Sequence, residues 1–193
     1  MDLLFASSNV NKLEEIRQLM PEGYNLKSLA DFDFKEELVE TTETLEGNAL
    51  QKAHFVFQKF GINCFSDDSG LEVEQLNGRP GVHSAFYAGF PRNDSNNIKV
   101  LLTELGSAAN RKARFRTVIA FVGIGKEFLF EGILDGTIAR YPLGGNGFGY
   151  DSVFIPLDLN MTMAELNRVE KNKISHRSKA LKHFLNFLST SQS

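Results

Sequence analysis

Cysteine is almost missing from this chain, and several other features are missing with it. The one cysteine, Cys64, has no partner for an internal disulfide. Its apolar setting in "INCFS" reads as a small buried hydrophobe in a reducing compartment rather than a catalytic thiol. No run approaches the roughly 20 apolar residues that span a bilayer. The start "MDLLFASSN" has no basic stretch leading into an apolar one, so the expected location is cytoplasmic, without a membrane partner. Excess positive charge is lacking too. With 21 Lys and Arg against 24 Asp and Glu, the net charge is −3, which argues against nucleic-acid binding through a broad electrostatic footprint. Zinc-type His and Cys spacing is absent. The glycine-rich "YPLGGNGFGYDSVF" fits neither G-x-x-x-x-G-K-[ST] nor G-x-G-x-x-G, so neither a P-loop nor a dinucleotide fingerprint is expected.

What is present is the composition of a globular protein, 42% hydrophobic over 193 residues, with no internal repeat. One domain, or two closely joined lobes, is the natural size, and the whole of 1–193 is taken as a single two-lobed domain. Residues 2–6 read as a buried strand. Val10, Leu13, Ile16 and Leu19 or Met20 then recur at helical spacing until Pro21 and Gly23. "YNLKSL" reads as a second strand, and a helix covers about 46–60, closed by Gly61. "INCFSD" and "LEVEQL" read as two strands separated by a turn at "DDSG". The Gly, Pro and Asn density of "LNGRPGVHSAFYAGFPRND" marks a long loop of functional length. A helix near 95–105 follows. Next come two long strands, "KARFRTVIAFVGI" and "EFLFEGILDGTIA", as an antiparallel pair, the glycine-rich loop, a strand "SVFIP", and helices at about 162–169 and 175–189. A polar tail "STSQS" ends the chain. The order of elements implies an α/β fold: an elongated mixed β-sheet with flanking helices, in two lobes around a cleft.

Two helix starts carry the wrong charge. With Asn9 as N-cap of the first helix, Lys12 falls at N3, where the positive end of the helix dipole favours acids. In "EKNKISHRSKALKHFL", Ser175 is the N-cap candidate, His176 and Arg177 begin the helix, and Lys171 and Lys173 stand just before it. Each start read alone is a solvated surface charge. Together, backbone N–H groups, dipole ends and cations make two anion sites suited to a polyphosphate.

Carboxylates occur where such a site needs them. "FSDDSGL" puts Asp67 and Asp68 at the end of an apolar run, and strand geometry sends the two to opposite faces, so one is expected to face the site. The alternative is an ordinary Asp-Ser-Gly turn. Glu40, Glu43 and Glu46 lie before a helix, where the last two suit its positive end and Glu40 does not need that explanation. Hard oxygen ligands of this kind suit Mg²⁺. Phe148 and Tyr150, between glycines, either stack on a flat ring or serve as core aromatics of a turn. "RKARFR" reads as a solvated strand face, and His54, His83 and His183 as ordinary surface or packing residues.

In order, "SSNVNK", "ETTETLEGNALQKA", "DDSGL", "GRPGVHSAFYAG", "GGNGFGYDSVF" and "EKNKISHRSKAL" resemble the inosine triphosphate pyrophosphatase family over about residues 4–185. The resemblance implies an elongated two-lobed α/β fold, usually a homodimer, with the substrate in the cleft between the lobes. It also implies Mg²⁺-dependent hydrolysis of ITP, dITP and XTP to the monophosphate and pyrophosphate, which cleanses the nucleotide pool. By resemblance, Ser7, Ser8, Asn9, Val10, Asn11 and Lys12 form a phosphate loop, and Lys52 is a further phosphate contact. Asp68 is the catalytic acid, with Glu40 its metal partner. Ser69 touches substrate, and Phe148, Gly149, Tyr150 and Asp151 form the base segment. Lys171, His176 and Arg177 complete the purine and phosphate contacts. Ser7-Ser8 stands where Thr-Gly is common in the family, Ser152 replaces a frequent proline, and Phe86 stands where many members carry arginine.

Overall fold

The computed structural model describes residues 2–123 and 125–190. In chain order the elements are β1 (Asp2–Phe5), α1 (Val10–Leu19), β2 (Asn25–Ser28), α2 (Leu45–Phe60), β3 (Cys64–Val73), β4 (Pro80–Gly81), α3 (Asp94–Leu105), β5 (Lys112–Gly123), β6 (Lys126–Ile138), β7 (Phe154–Pro156), α4 (Arg168–Ile174) and α5 (His176–Thr190). The fold is α/β, with a mixed sheet in the order β2-β1-β3-β5-β6-β7 and β4 paired to β3. β1 lies parallel to β2, with Phe5 opposite Ser28, and parallel to β3, with Phe5 opposite Phe65. β4 and β7 pair antiparallel with β3 and β6.

The chain divides into two compact units. One comprises the residues up to Asp68, Thr117–Gly132 and those from Arg177; the other comprises Ser69–Arg116 and Ile133–His176. The first unit is cored by Leu3, Phe5, Ile16, Phe65, Phe121 and Phe184 among others, with the Phe65 ring 5.0 Å from both Phe5 and Phe184. Cys64 belongs to this buried interior; its Sγ donates to the Ala53 carbonyl at 3.0 Å, and burial pushes the thiol up to about 12. The second unit packs Leu71, Leu101, Phe115, Leu134, Phe154 and Met163 around its own core.

Two sequence expectations are corrected. β3 runs unbroken through Asp67, Asp68, Ser69 and Gly70, so "DDSG" is not a turn. The two carboxylates find side-chain partners on packed helices, and the backbone therefore stays in the ladder. The helix expected at 162–169 is a turn, because Thr162 N and Oγ1 both donate to Glu165 Oε2. Asn167 then caps α4 through a reciprocal box with Glu170. Ser175 stands where expected: extended, at φ −61° and ψ 150°, it closes α4 and immediately precedes α5, which begins at His176. In the tail, Ser189 and Thr190 belong to α5, and residues 191–193 lie outside the described residues.

Candidate active site

α1 starts as its sequence dictates: the Asn9 side chain accepts from Lys12 N at 3.2 Å, and Ser7 Oγ accepts from Asn9 N at 3.2 Å. Ser8, Val10 and Asn11 are exposed around this turn. The Lys12 side chain turns inward, 14% exposed, and its Nζ lies 3.1 Å from Asp67 Oδ1. On the opposite oxygen, Arg177 Nε from the first turn of α5 donates to Asp67 Oδ2 at 3.0 Å, and Arg177 Nη1 pairs with Glu15. The two cations that sit at the wrong helix ends thus converge on one fully buried carboxylate.

A second charge group forms on the α2 side. Thr44 caps α2 by accepting from Gly47 N at 3.1 Å. Thr41 N donates to Gln51 Oε1 and Thr42 N to Asn48 Oδ1, so the segment before the helix folds back over its first turns. That fold brings Glu40 to Lys52, whose Nζ pairs with the Glu40 carboxylate, donates to the Asp67 carbonyl at 2.8 Å and lies 3.9 Å from Asp68 Oδ1. Asn48 Nδ2 donates to Asp68 Oδ2 at 3.2 Å. Adjacent carboxylates on β3 therefore serve different helices, Asp67 those of Lys12 and Arg177 and Asp68 that of Asn48 and Lys52, as pleating requires.

Electrostatics separates the two acids. Burial works against the Asp67 charge, yet Lys12, Arg177 and Lys52 outweigh it and hold the carboxyl far below the usual carboxylate range. Asp68 is shifted the other way: its burial exceeds the help of Lys52 and Lys12 and raises it. Burial also depresses the Lys12 ammonium despite Asp67, with Lys52 and Arg177 adding repulsion. For Lys52 burial is the largest influence, but Asp68 and Glu40 overcome it and raise the ammonium.

The second unit carries the other expected residues. Lys171 Nζ donates to Asp151 Oδ2 at 2.7 Å and stands 4.6 Å above the Phe148 ring centre. Phe148 N donates to the same Asp151 oxygen at 2.9 Å. Tyr150 is buried, and its hydroxyl donates to the Ser84 carbonyl at 3.0 Å. His176 stacks on Phe115 at 4.7 Å with planes 16° apart. Ser69 is half-buried at the start of this unit, and Lys173 is exposed on α4.

Sequence reasoning assigned no role to Asp67, Glu15 or Asn48. An asparagine inside a helix, where its propensity is poor, was the one signal in the sequence for Asn48, which is buried. Glu15 sits three residues after Lys12, on a face shared with buried Ile16.

Glu40 and Asp68 are the side chains here that could hold a divalent cation. Glu40 and Asp68 both direct oxygens to the Lys52 ammonium, and among the described residues no group of three or more His, Cys, Asp or Glu converges. A carboxylate pair of that size suits Mg²⁺, which fills its remaining positions with water and phosphate oxygens, rather than a metal held in an all-protein cage.

Fold and site together define an α/β protein of mixed sheet whose buried cations, Lys12, Lys52 and Arg177, are gathered around carboxylates of β3 and its helices. The chain belongs to the Ham1 family, whose profile matches residues 3–187. A Flavobacterium psychrophilum protein named dITP/XTP pyrophosphatase is 49% identical over 187 residues, covering 97% of this chain and 98% of that one. A Bacillus subtilis protein of the same name is 45% identical over 185 residues, covering 94% and 93%. Among solved structures, the Staphylococcus aureus Ham1 protein superposes with a TM-score of 0.91 at 36% identity, covering 99% of this chain and 100% of that one. Among the described residues, no helix is long and apolar enough to cross a membrane.

Proposed function

We propose that this protein hydrolyses the non-standard purine nucleoside triphosphates dITP, ITP and XTP to the monophosphate and pyrophosphate; its relatives carry the name dITP/XTP pyrophosphatase. The observation that carries the reading is the meeting of Lys12 and Arg177 at Asp67, beside Lys52 between Glu40 and Asp68. Such a group of cations and carboxylates matches a triphosphate with a magnesium ion.

In this reading Ser7 to Lys12 and Lys52 take the phosphate oxygens. The backbone N–H groups at the start of α1 and the lysine ammonium groups stabilise charge as it builds on the leaving pyrophosphate. An added anion would offset the burial that depresses Lys12. Glu40 and Asp68 would hold Mg²⁺, which supplies charge neutralisation of the triphosphate when bound. Asp68 orients the water whose oxygen bonds to the α-phosphorus while the bond from that phosphorus to the pyrophosphate oxygen breaks, the water's proton passing to solvent. Asp67 keeps Lys12 and Arg177 in place. Phe148, Gly149, Tyr150 and Asp151, with Lys171 and His176, take the purine; Ser69 adds a substrate contact. A donor facing the 6-position pairs with the carbonyl of hypoxanthine or xanthine and is left unpaired by adenine. The reading extends to a cytoplasmic homodimer, which light scattering during chromatography tests.

The test is Mg²⁺-dependent release of pyrophosphate from ITP, dITP and XTP against ATP and GTP. Asp68→Asn is expected to lose turnover by about 10²–10⁴-fold while keeping the wild-type circular dichroism. Release of single orthophosphate, tight nucleotide binding without product, or a wild-type rate for the variant overturns the reading.

A further inference from the structure

We propose that Asp94, at the first position of α3, is a positioning residue that sets the conformation of the base-contacting loop and with it the choice of purine; this rests on the reading of residues 148–151 as base contacts. Two successive backbone N–H groups in that loop are each accepted by a carboxylate. Phe148 N goes to Asp151 Oδ2 at 2.9 Å, a bond three residues long that folds the loop on itself. Gly149 N goes to Asp94 Oδ2 at 2.7 Å, from 55 residues earlier, and ties the loop to α3. Gly147 and Gly149 have φ of 78° and 60°, a left-handed backbone whose many alternatives must be closed off by contacts.

α3 supplies those contacts twice. Besides Asp94, its Asn97 donates to the Ser84 carbonyl at 3.3 Å and to the Ala85 carbonyl at 2.9 Å, and accepts from Ala88 N at 2.8 Å. The Ser84 carbonyl also takes the Tyr150 hydroxyl at 3.0 Å. One helix turn therefore holds Gly149 directly and Tyr150 through Ser84, with Phe148 between that anchor and Lys171. Asp94 itself is oriented by Arg92 Nε, which donates to its Oδ1 at 3.1 Å. A charge-assisted bond to a backbone N–H is the stronger kind, so its loss frees the residue that follows Phe148. Asp94 also suits the positive end of α3, a purely structural role that needs its charge and not its bond to Gly149.

The experiment compares Asp94→Ala and Asp94→Asn in the full-length protein. Asparagine keeps an oxygen acceptor for Gly149 N and gives up the charge. In Asp94→Ala the KM for dITP is expected to rise about tenfold with kcat within about twofold, and the preference for dITP over dATP to fall by a similar factor. Asp94→Asn is expected to restore most of both. Without any nucleotide, the Gly149 amide is expected to exchange its hydrogen about tenfold faster in Asp94→Ala and near the wild-type rate in Asp94→Asn. Unchanged KM and preference in Asp94→Ala, unchanged Gly149 exchange, or an Asp94→Asn variant as impaired as the alanine one overturns the proposal. A wild-type protein that releases no pyrophosphate from dITP or XTP overturns the proposed function instead, and the exchange measurement still decides whether Asp94 holds the loop.

Discussion

Lys12 Nζ lies 3.1 Å from Asp67 Oδ1, so a lysine that opens α1 from the unfavourable end of the helix dipole is held by a fully buried carboxylate of β3. Arg177 shares the same carboxylate through its other oxygen. Burying three charges costs solvation, and the arrangement persists because each has a close opposite partner.

Asp67 makes folding sensitive to acid in a definite direction. Its folded pKa is held far below the usual range, against burial, by Lys12, Arg177 and Lys52, while the unfolded value is about 3.9. Above that value both states are ionised and the contribution is fully present. Below it the unfolded chain takes up the proton first, and stability is lost as pH falls toward the folded pKa. Urea unfolding in chelator should therefore give a free energy that drops between about pH 5 and pH 2. Asp67→Asn should be about 3–5 kcal/mol less stable at pH 7 and have a shallower slope in the acid range. Equal slopes would assign the acid sensitivity to other groups.

Gly70 is where β3 admits β4. A Cβ there would meet the backbone of Gly81, with its carbonyl carbon at 2.8 Å, and backbone in a paired ladder has little room to yield. Gly70→Ala is expected to cost about 1–3 kcal/mol and to loosen the pairing of Leu71 with Gly81. Gly145→Ala is the control, since its Cβ would have nothing within 4 Å, and it should stay within about 0.5 kcal/mol of wild type. Thermal unfolding of the two variants decides the comparison.

Much of this architecture was legible in the sequence because local rules were strong where it mattered. Asn9 caps α1, and Gly61, at φ 65°, ends α2, as their residue types require. Lys12 and Arg177 declared themselves by standing against the dipole. What could not be read was partnership. "DDSG" has turn chemistry, and only the helices packed on β3 tell the chain to remain extended there. Asp67 and Asp68 are neighbours of one type, yet Lys12 and Arg177 claim the first while Asn48 and Lys52 claim the second. Spacing along one strand carries no information about which helix lies over which face. The turn at Thr162 was missed for a related reason: Glu165 looks like a helix former, and its bonds back to Thr162 are a competing use of the same carboxylate.

Arg177 offers the sharpest test of the buried network, because its position demands geometry as well as charge. It is 2% exposed, with Nε on Asp67 and Nη1 on Glu15. Burial opposes its charge, but the two carboxylates exceed that effect and raise its pKa further. Lysine keeps the charge but offers a single ammonium in place of a planar fork. It satisfies one carboxylate and takes the guanidinium contact away from the other. Arg177→Lys should lose about 3 kcal/mol or more in urea unfolding. If the loss comes from Glu15 deprived of that contact, adding Glu15→Gln should recover about 1 kcal/mol or more, since a neutral amide is cheaper to bury than a carboxylate. An additive cycle would mean that Glu15 and Arg177 are not coupled, and that Asp67 alone anchors the start of α5.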